Sequence, residues 1–265
     1  MPEPGFAELG WDERRVAIEY ERIPAASRSP QVVFLHEGLG SRSMWRDFPR
    51  RLCEAARCRG LVYSRPGYGQ STGPTERKRG PDYLHRQALE VLPRLLDALR
   101  IDTPAWLFGH SDGGSIALIF AAHYANRCAG VVALAPHIFV EEETVRAVAA
   151  AREAWSASEL SERLARHHAD PEGVFWSWND TWLSSAFRGW TIEHEIGSIS
   201  CPVLAMQGAA DEYATMKQIH GIARRVPHAE RIELPGCGHS PHRDQAERVI
   251  AETVRFMAGR SREAP

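Results

Sequence analysis

Short, nearly continuous apolar runs alternate with helix-period segments along most of the chain, and this rhythm constrains the fold more than any other feature. The runs span residues 31–35, 61–63, 105–108, 130–134 and 202–206, with 231–234 a weaker sixth. Strands buried on both faces read this way, whereas strands with one wet face alternate apolar and polar residues. Between the runs lie 44–58, 82–99, 112–124, 215–226 and 245–257, each with apolar residues at helical spacing. Strand and helix in turn predict a parallel sheet with helices on both faces. Upstream, 15–23 alternates through Val16, Ile18 and Tyr20, as an antiparallel edge strand does, and 6–9 is placed to pair with it.

One interval breaks the rhythm. Residues 139–200 carry helical stretches, no strand signal and five of the eight tryptophans. The interval is too long for a plain loop in a compact domain. We read 1–138 with 201–265 as one sheet domain and 139–200 as a helical subdomain inserted into it, within a length that suits a single large α/β domain. The ends, 2–4 and 261–265, read as frayed.

Composition narrows the function classes. The net charge of −2 comes from 32 basic and 34 acidic residues without a long single-sign block, so neither nucleic acid nor an anionic membrane surface is an expected partner. No run of 18 apolar residues occurs and the N-terminus lacks a signal-peptide core, which predicts a cytoplasmic protein. The five cysteines are scattered without a CxxC pair, so they read as free thiols, and no clustered ligand spacing suggests a metal. Lysine occurs only at Lys78 and Lys217, in polar surroundings, which leaves little room for Schiff-base chemistry. No cofactor is implied, and the oligomeric state cannot be read.

The sharpest motif is Gly109-His110-Ser111-Asp112-Gly113, a G-x-S-x-G between an apolar strand run and an apolar helix run. The ordinary reading of Ser111 is a helix N-cap. The chemical reading is a nucleophile raised on a sharp strand-to-helix turn that only small flanking residues permit, beside helix amides that favour developing negative charge. A serine nucleophile needs a base, and the base an orienting acid. Functional groups of parallel sheets collect beyond the carboxyl ends of strands. Asp211 follows the run at 202–206, with Glu212 beside it as a competitor for the acid. His239 follows 231–234 within a glycine-framed loop. After QVVFL comes His36-Glu37-Gly38-Leu39-Gly40, whose backbone can approach a substrate oxygen, so the amides of Gly38 and Asp112 are the expected oxyanion donors.

With these residues in view, about 6–258 of the chain resembles the α/β-hydrolase fold proteins of the single-cap type, which include small esterases, carbon-carbon bond hydrolases and haloalkane-type enzymes. The resemblance rests on HEGLGS at 36–41, SRPGYGQS at 64–71, GHSDGG at 109–114, QGAADEY around Asp211 and GCGHSPH around His239. It implies a mostly parallel eight-stranded sheet with a helical cap, and the nucleophile, acid, base order Ser111, Asp211, His239. The spacing of Asp211 after Gly208 matches the family and favours it over Glu212. The chain departs from the family's His-Gly-x-x-Gly at Glu37 and from its D-x-x-G-x-G-x-S at Ser64.

The remaining polar and aromatic candidates have two readings each. Glu37 either bonds to loop amides or pairs with Arg65, or it lines the pocket and meets a polar substrate group. Asp112 caps its helix or faces the pocket. His36 supports the oxyanion loop or borders the pocket, and His110 packs away from Ser111 or borders it. His242 reads as a surface residue and Cys237 as a small filler. Phe175, Trp178 and Trp182 lie on one helical face, packing the insert or roofing Ser111 together with Phe139 or Phe187; Arg188 is a candidate partner for a substrate carboxylate.

The expected activity is hydrolysis of a small ester, lactone or thioester without a cofactor. The rivals are carbon-carbon bond hydrolysis of a ring-cleavage diketone, a perhydrolase-like side activity, and a non-catalytic ligand receptor.

Overall fold

A computed structural model of the protein describes residues 4–73, 79–157 and 159–260. Lys78 and the ends at 2–3 and 261–265, all given a reading above, lie outside the described residues.

The apolar runs form one eight-stranded sheet from β1 (Gly5–Trp11), β2 (Arg14–Ile23), β3 (Gln31–Leu35), β4 (Arg59–Tyr63), β5 (Ala105–His110), β6 (Cys128–Leu134), β7 (Val203–Gly208) and β8 (Glu230–Leu234), in the order β1-β2-β4-β3-β5-β6-β7-β8. From β4 to β8 every neighbouring pair is parallel; β1–β2 and β2–β4 are antiparallel. All five residues of β3 and all six of β5 are buried, which is why their sequences show no alternation. The expectation that 15–23 is an edge strand is corrected. The hairpin partner β1 takes the edge, in a seven-residue register with β2, so the alternation in β2 reports a half-wet face and not an unpaired edge.

Successive side chains of the central strands enter opposite apolar layers. Val33, Leu35, Leu107 and Val131 face one layer, while Val32, Phe34, Phe108 and Val132 face the other. The second layer is closed by α1 (Phe48–Ala56), through Phe48 and Leu52, and by Val249 and Phe256 of the C-terminal helix Ala246–Arg260. Each fully buried large side chain here contributes about 1.5–3 kcal/mol.

The first layer receives a helical stretch that starts as α2 (Tyr83–Arg86), winds through a π-helical turn at Gln87–Val91 and continues as α3 (Leu92–Ala98). Beneath the sheet centre lies α4 (Asp112–His123), ten of whose twelve residues are buried. A helix apolar on every side has nowhere else to go.

Between β6 and β7 the chain leaves the sheet for α5 (Glu142–Ala157), α6 (Leu160–Ala165) and α7 (Pro171–Trp182), with only the isolated bridge Phe139–Thr191 among the described residues. The aromatic face of α7 divides: Phe175 stacks on Trp155 inside the insert at 4.2 Å, while Trp178 and Trp182 turn toward a cavity at the sheet's carboxyl edge. After β7 come α8 (Lys217–Arg225) and, past β8, the short α9 (Pro241–Asp244) before α10 (Ala246–Arg260).

Candidate active site

The turn after β5 holds Ser111 at φ 52° and ψ −118°, a conformation that costs a non-glycine residue about 1–3 kcal/mol. Glycines on either side make it possible. A Cβ on Gly109 would fall inside the Gly113 backbone, and one on Gly113 inside the Leu35 carbonyl. Ser111 stands at the N-cap of α4 yet makes no side-chain cap bond, so its hydroxyl is not consumed by the helix.

Two loops converge on that hydroxyl. Beyond β8, His239 places Nε2 3.0 Å from Ser111 Oγ and Nδ1 2.8 Å from Asp211 Oδ1, beyond β7. With Nδ1 facing a carboxylate, the ring proton sits on Nδ1, and Nε2 is free to accept from the serine hydroxyl. The loops meet because Gly208 has no side chain; a Cβ there would overlap the Cys237 carbonyl.

Asp211 Oδ1 also accepts from the amides of Tyr213 at 2.8 Å and Ala214 at 3.2 Å, and Oδ2 from Gln207 Nε2 at 3.1 Å. Burial pushes the Asp211 carboxyl up, but the hydrogen bond and charge of His239 and the Tyr213 amide outweigh it and hold it below the usual range. Glu212 takes a different post: its Oε2 accepts from the His239 backbone amide at 3.0 Å.

A cavity of about 180 Å³ opens over Ser111. Of the residues singled out in the sequence, it is lined by Glu37, Gly38, His110, Asp112, Trp178, Trp182, Glu212 and His239. A Cβ on Gly38 would collide with the Trp178 indole, so this glycine lets the insert close down on the loop after β3.

The Asp112 carboxylate does not cap its own helix. Oδ2 lies 3.3 Å from the fully buried Arg65 guanidinium and accepts from Tyr83 Oη at 2.9 Å, and Trp182 Nε1 donates to that same phenol oxygen at 2.9 Å. A buried guanidinium demands a counter-charge, and removing one member of such a pair costs about 3–5 kcal/mol. The series therefore ties the pocket wall at Trp182 to the turn at Ser111.

Several expectations are corrected. His36 is fully buried and does not line the cavity, because both ring nitrogens are used within the loop: Nδ1 donates to the Glu37 carbonyl at 2.8 Å and Nε2 accepts from the Arg65 amide at 3.0 Å. Phe139 is pinned by its bridge to Thr191 and also stands outside the cavity lining. Phe187 stacks on Trp190 at 5.2 Å, and Arg188 pairs with Glu142 at 2.9 Å; neither reaches the lining.

The Glu37 carboxylate does not pair with Arg65, which instead donates to the Glu37 carbonyl. It faces His110 Nδ1 at 3.5 Å and Arg243 at 3.7 Å. Burial raises its pKa, but His110, Arg243 and His242 together hold it well below the usual carboxylate range. His242 is buried, packed on Trp45 at 4.8 Å and His110 at 4.7 Å, and not on the surface. His110 donates Nε2–H to the His239 carbonyl at 2.7 Å and so steadies the loop that carries His239.

Sequence reading missed His137. It is buried and lines the cavity with its ring 5.9 Å from that of His239 and 5.0 Å from Trp182, and neither ring nitrogen has a hydrogen-bond partner among the described residues. Burial, and then the charge of His239, lower its pKa to about 4, so at neutral pH the ring is uncharged. The signal was present: His137 lies three residues beyond β6, at the same edge that drew attention to Asp211 and His239. Leu39, Thr144, Val148, Tyr213 and Ser240 complete the wall without any comparable pattern. Among the described residues no cluster of His, Cys, Asp or Glu could hold a metal, and no helix is long and apolar enough to cross a membrane.

Comparison with known proteins agrees with this architecture. Over 93% of its length the chain is 23% identical to the sn-1-specific diacylglycerol lipase of Mus musculus, covering 87% of that protein. Over 88% it is 24% identical to the 2-hydroxy-6-oxo-6-phenylhexa-2,4-dienoate hydrolase of Burkholderia cepacia, covering 89% of it. A thermophilic esterase from Thermogutta terrifontis superposes with a TM-score of 0.74 at 20% identity, over 97% of this chain and 99% of the other. The model of the alpha/beta hydrolase family matches residues 32–252, and the chain belongs to that family.

Proposed function

We propose that the chain is a serine hydrolase that cleaves a small carboxylic ester, lactone or thioester through an acyl-enzyme. The observation that carries this reading is the contact series Ser111 Oγ to His239 Nε2 at 3.0 Å and His239 Nδ1 to Asp211 at 2.8 Å, on a strained turn that frees the hydroxyl. Ser111 Oγ attacks the acyl carbon as its proton passes to Nε2. The amides of Gly38 and Asp112 stabilise the resulting oxyanion, each worth about 3 kcal/mol in the transition state. The bond to the leaving oxygen or sulfur breaks as Nε2 returns the proton to it. Water, deprotonated by the same nitrogen, then releases the acid and restores Ser111. Asp211 stays ionised and stabilises the imidazolium.

The insert at 139–200 acts as a cap whose Trp178 and Trp182 roof the cavity and limit the acyl group to a small size. The cavity falls below the roughly 300–1,000 Å³ of drug-sized sites. Carbon-carbon bond hydrolysis is the second reading, favoured by the similarity to the Burkholderia cepacia hydrolase. Against it stands a cavity wall with Glu37 and Glu212 but, among the described residues, no lysine or arginine, a poor host for a dienoate anion. Five buried, unbridged thiols support a cytoplasmic setting.

The test is a substrate panel at neutral pH. Short-chain nitrophenyl esters, lactones and thioesters are expected to be turned over at least about tenfold faster, in kcat/KM, than a vinylogous diketone bearing a carboxylate. Preference for the diketone would install the second reading, and no turnover of any class would leave the receptor reading.

A further inference from the structure

Folding gathers a positive charge that the linear sequence hides. Arg46 follows the β3 loop, Arg163 and Arg166 lie on and just after α6, and Arg243 belongs to α9. These four guanidinium groups, with His167 and over an apolar floor at Leu164, line an open groove of about 350 Å³ that no carboxylate of the described residues lines. Arg46, Arg163 and Arg166 have no ion-pair partner among the described residues, and Arg243 makes a long 3.7 Å ion pair with Glu37 and donates to the Met44 carbonyl at 3.4 Å. Like charges converging on one concave surface raise the local anion concentration. His167 reports the crowding: besides partial burial, the charges of Arg243, Arg46 and Arg166 lower its pKa.

Two sets of contacts link the lining of the groove to that of the cavity over Ser111. Arg243 faces Glu37, which lines that cavity. His167 bonds Ser43 Oγ through Nδ1 at 2.8 Å, and the next residue, His168, donates Nε2–H to the carbonyl of Leu39, another cavity residue, at 3.0 Å. Carboxylates of Glu37, Asp112 and Glu212 belong to residues of the cavity lining, whereas the groove lining carries the four arginines.

We propose that the Arg46, Arg163, Arg166 and Arg243 groove is a subsite for a phosphate-bearing leaving group, so that the substrate is an ester or thioester of a phosphorylated alcohol or thiol. This rests on the serine hydrolase reading for its chemistry but not for its binding. The acyl carbon sits over Ser111; its bond to the leaving oxygen or sulfur breaks, the phosphorylated alcohol or thiol departs with the proton from His239, and water releases the acid. Guanidinium groups recognise phosphate oxygens with paired, charge-assisted hydrogen bonds.

The experiment has two arms, both on the full chain. Inorganic pyrophosphate is titrated into wild type and into the exposed-side-chain double variant Arg163→Ala/Arg166→Ala by calorimetry. Sub-millimolar binding, weakened at least about tenfold in the variant and largely retained in Arg163→Lys/Arg166→Lys, is expected; no binding to wild type, equal binding to the alanine variant, or binding to phosphatidylglycerol vesicles without binding to pyrophosphate would overturn the subsite.

In the kinetic arm, the ratio of kcat/KM for a coenzyme A thioester to that for a nitrophenyl ester of the same acyl group is expected to fall at least about tenfold in the alanine variant, through KM. An unchanged ratio would overturn the subsite. Pyrophosphate binding without any hydrolysis would sink the serine hydrolase reading while leaving the groove, and hydrolysis without pyrophosphate binding would do the reverse.

Discussion

Ser111→Ala is expected to lower kcat on the best ester by about 10⁶-fold, and Asp211→Asn by about 10²–10⁴-fold, with KM little changed in either. The first figure follows from removing the only atom that bonds to the acyl carbon. The second depends on local geometry. Asp211 Oδ1 already accepts from the amides of Tyr213 and Ala214, so an asparagine keeps its oxygen at that position and His239 Nδ1–H stays bonded. What disappears is the negative charge that stabilises the imidazolium, while the new amide faces the Gln207 Nε2 donor. Steady-state kinetics on variants with wild-type melting curves check both. A Ser111→Ala enzyme that retained a tenth of its activity would remove the serine from the chemistry.

Acidification from pH 7.5 to 5 is expected to lower the melting temperature by at least about 8 °C, while the depressed carboxyls of Asp211 and Glu37 keep their charge. His137 and His168 are buried, and burial above all lowers the pKa of each to about 4, against about 6.5 in an unfolded chain. Between those values the unfolded chain binds protons that the folded chain refuses, so stability falls as pH falls. Each ring costs about 2 kcal/mol at pH 5 and about 3 kcal/mol by pH 4. His36 and His242, also held well below their ordinary value by burial, act in the same direction. Domains of this kind have only about 5–15 kcal/mol in hand, and at this size each kcal/mol moves the midpoint by about 2–4 °C.

Asp211 and Glu37 act in the same direction over a lower window: their carboxyls are depressed, so their stabilisation persists at pH 5 and is lost as pH drops through and below the ordinary carboxylate range. Melting curves across this interval check the sign. A midpoint flat from pH 7.5 to 4.5 would mean that these imidazoles are protonated or solvated in the folded chain.

The two outcomes draw on different parts of the sequence. Strands such as β3 and β5 were legible because burial on both faces leaves an unbroken apolar signature, and Ser111, Asp211 and His239 because each stands just past such a strand. β2 was misjudged as an edge because period-two alternation records which face is wet, not whether a neighbour is bonded.

Side-chain fates governed by tertiary partners were not legible. His242, in a polar stretch, is drawn inward by Trp45, and Glu37 is claimed by His110 and Arg243 while Asp112 takes Arg65. The arginine groove draws on three segments nearly 200 positions apart, so no window of the sequence contains it. His137 could have been found by applying the strand-end rule to β6, but as a lone histidine without a glycine frame it carries no chemical signature of its own.

The central claim, that His239 makes Ser111 a nucleophile, is tested most directly by treating the protein with a fluorophosphonate and locating the adduct by peptide mass spectrometry. One phosphonyl group on Ser111, absent from Ser111→Ala and formed at least about 10³-fold more slowly in His239→Ala, is the expected result. A folded wild-type protein that stays unlabelled, or that carries the group on any other residue, would contradict the account.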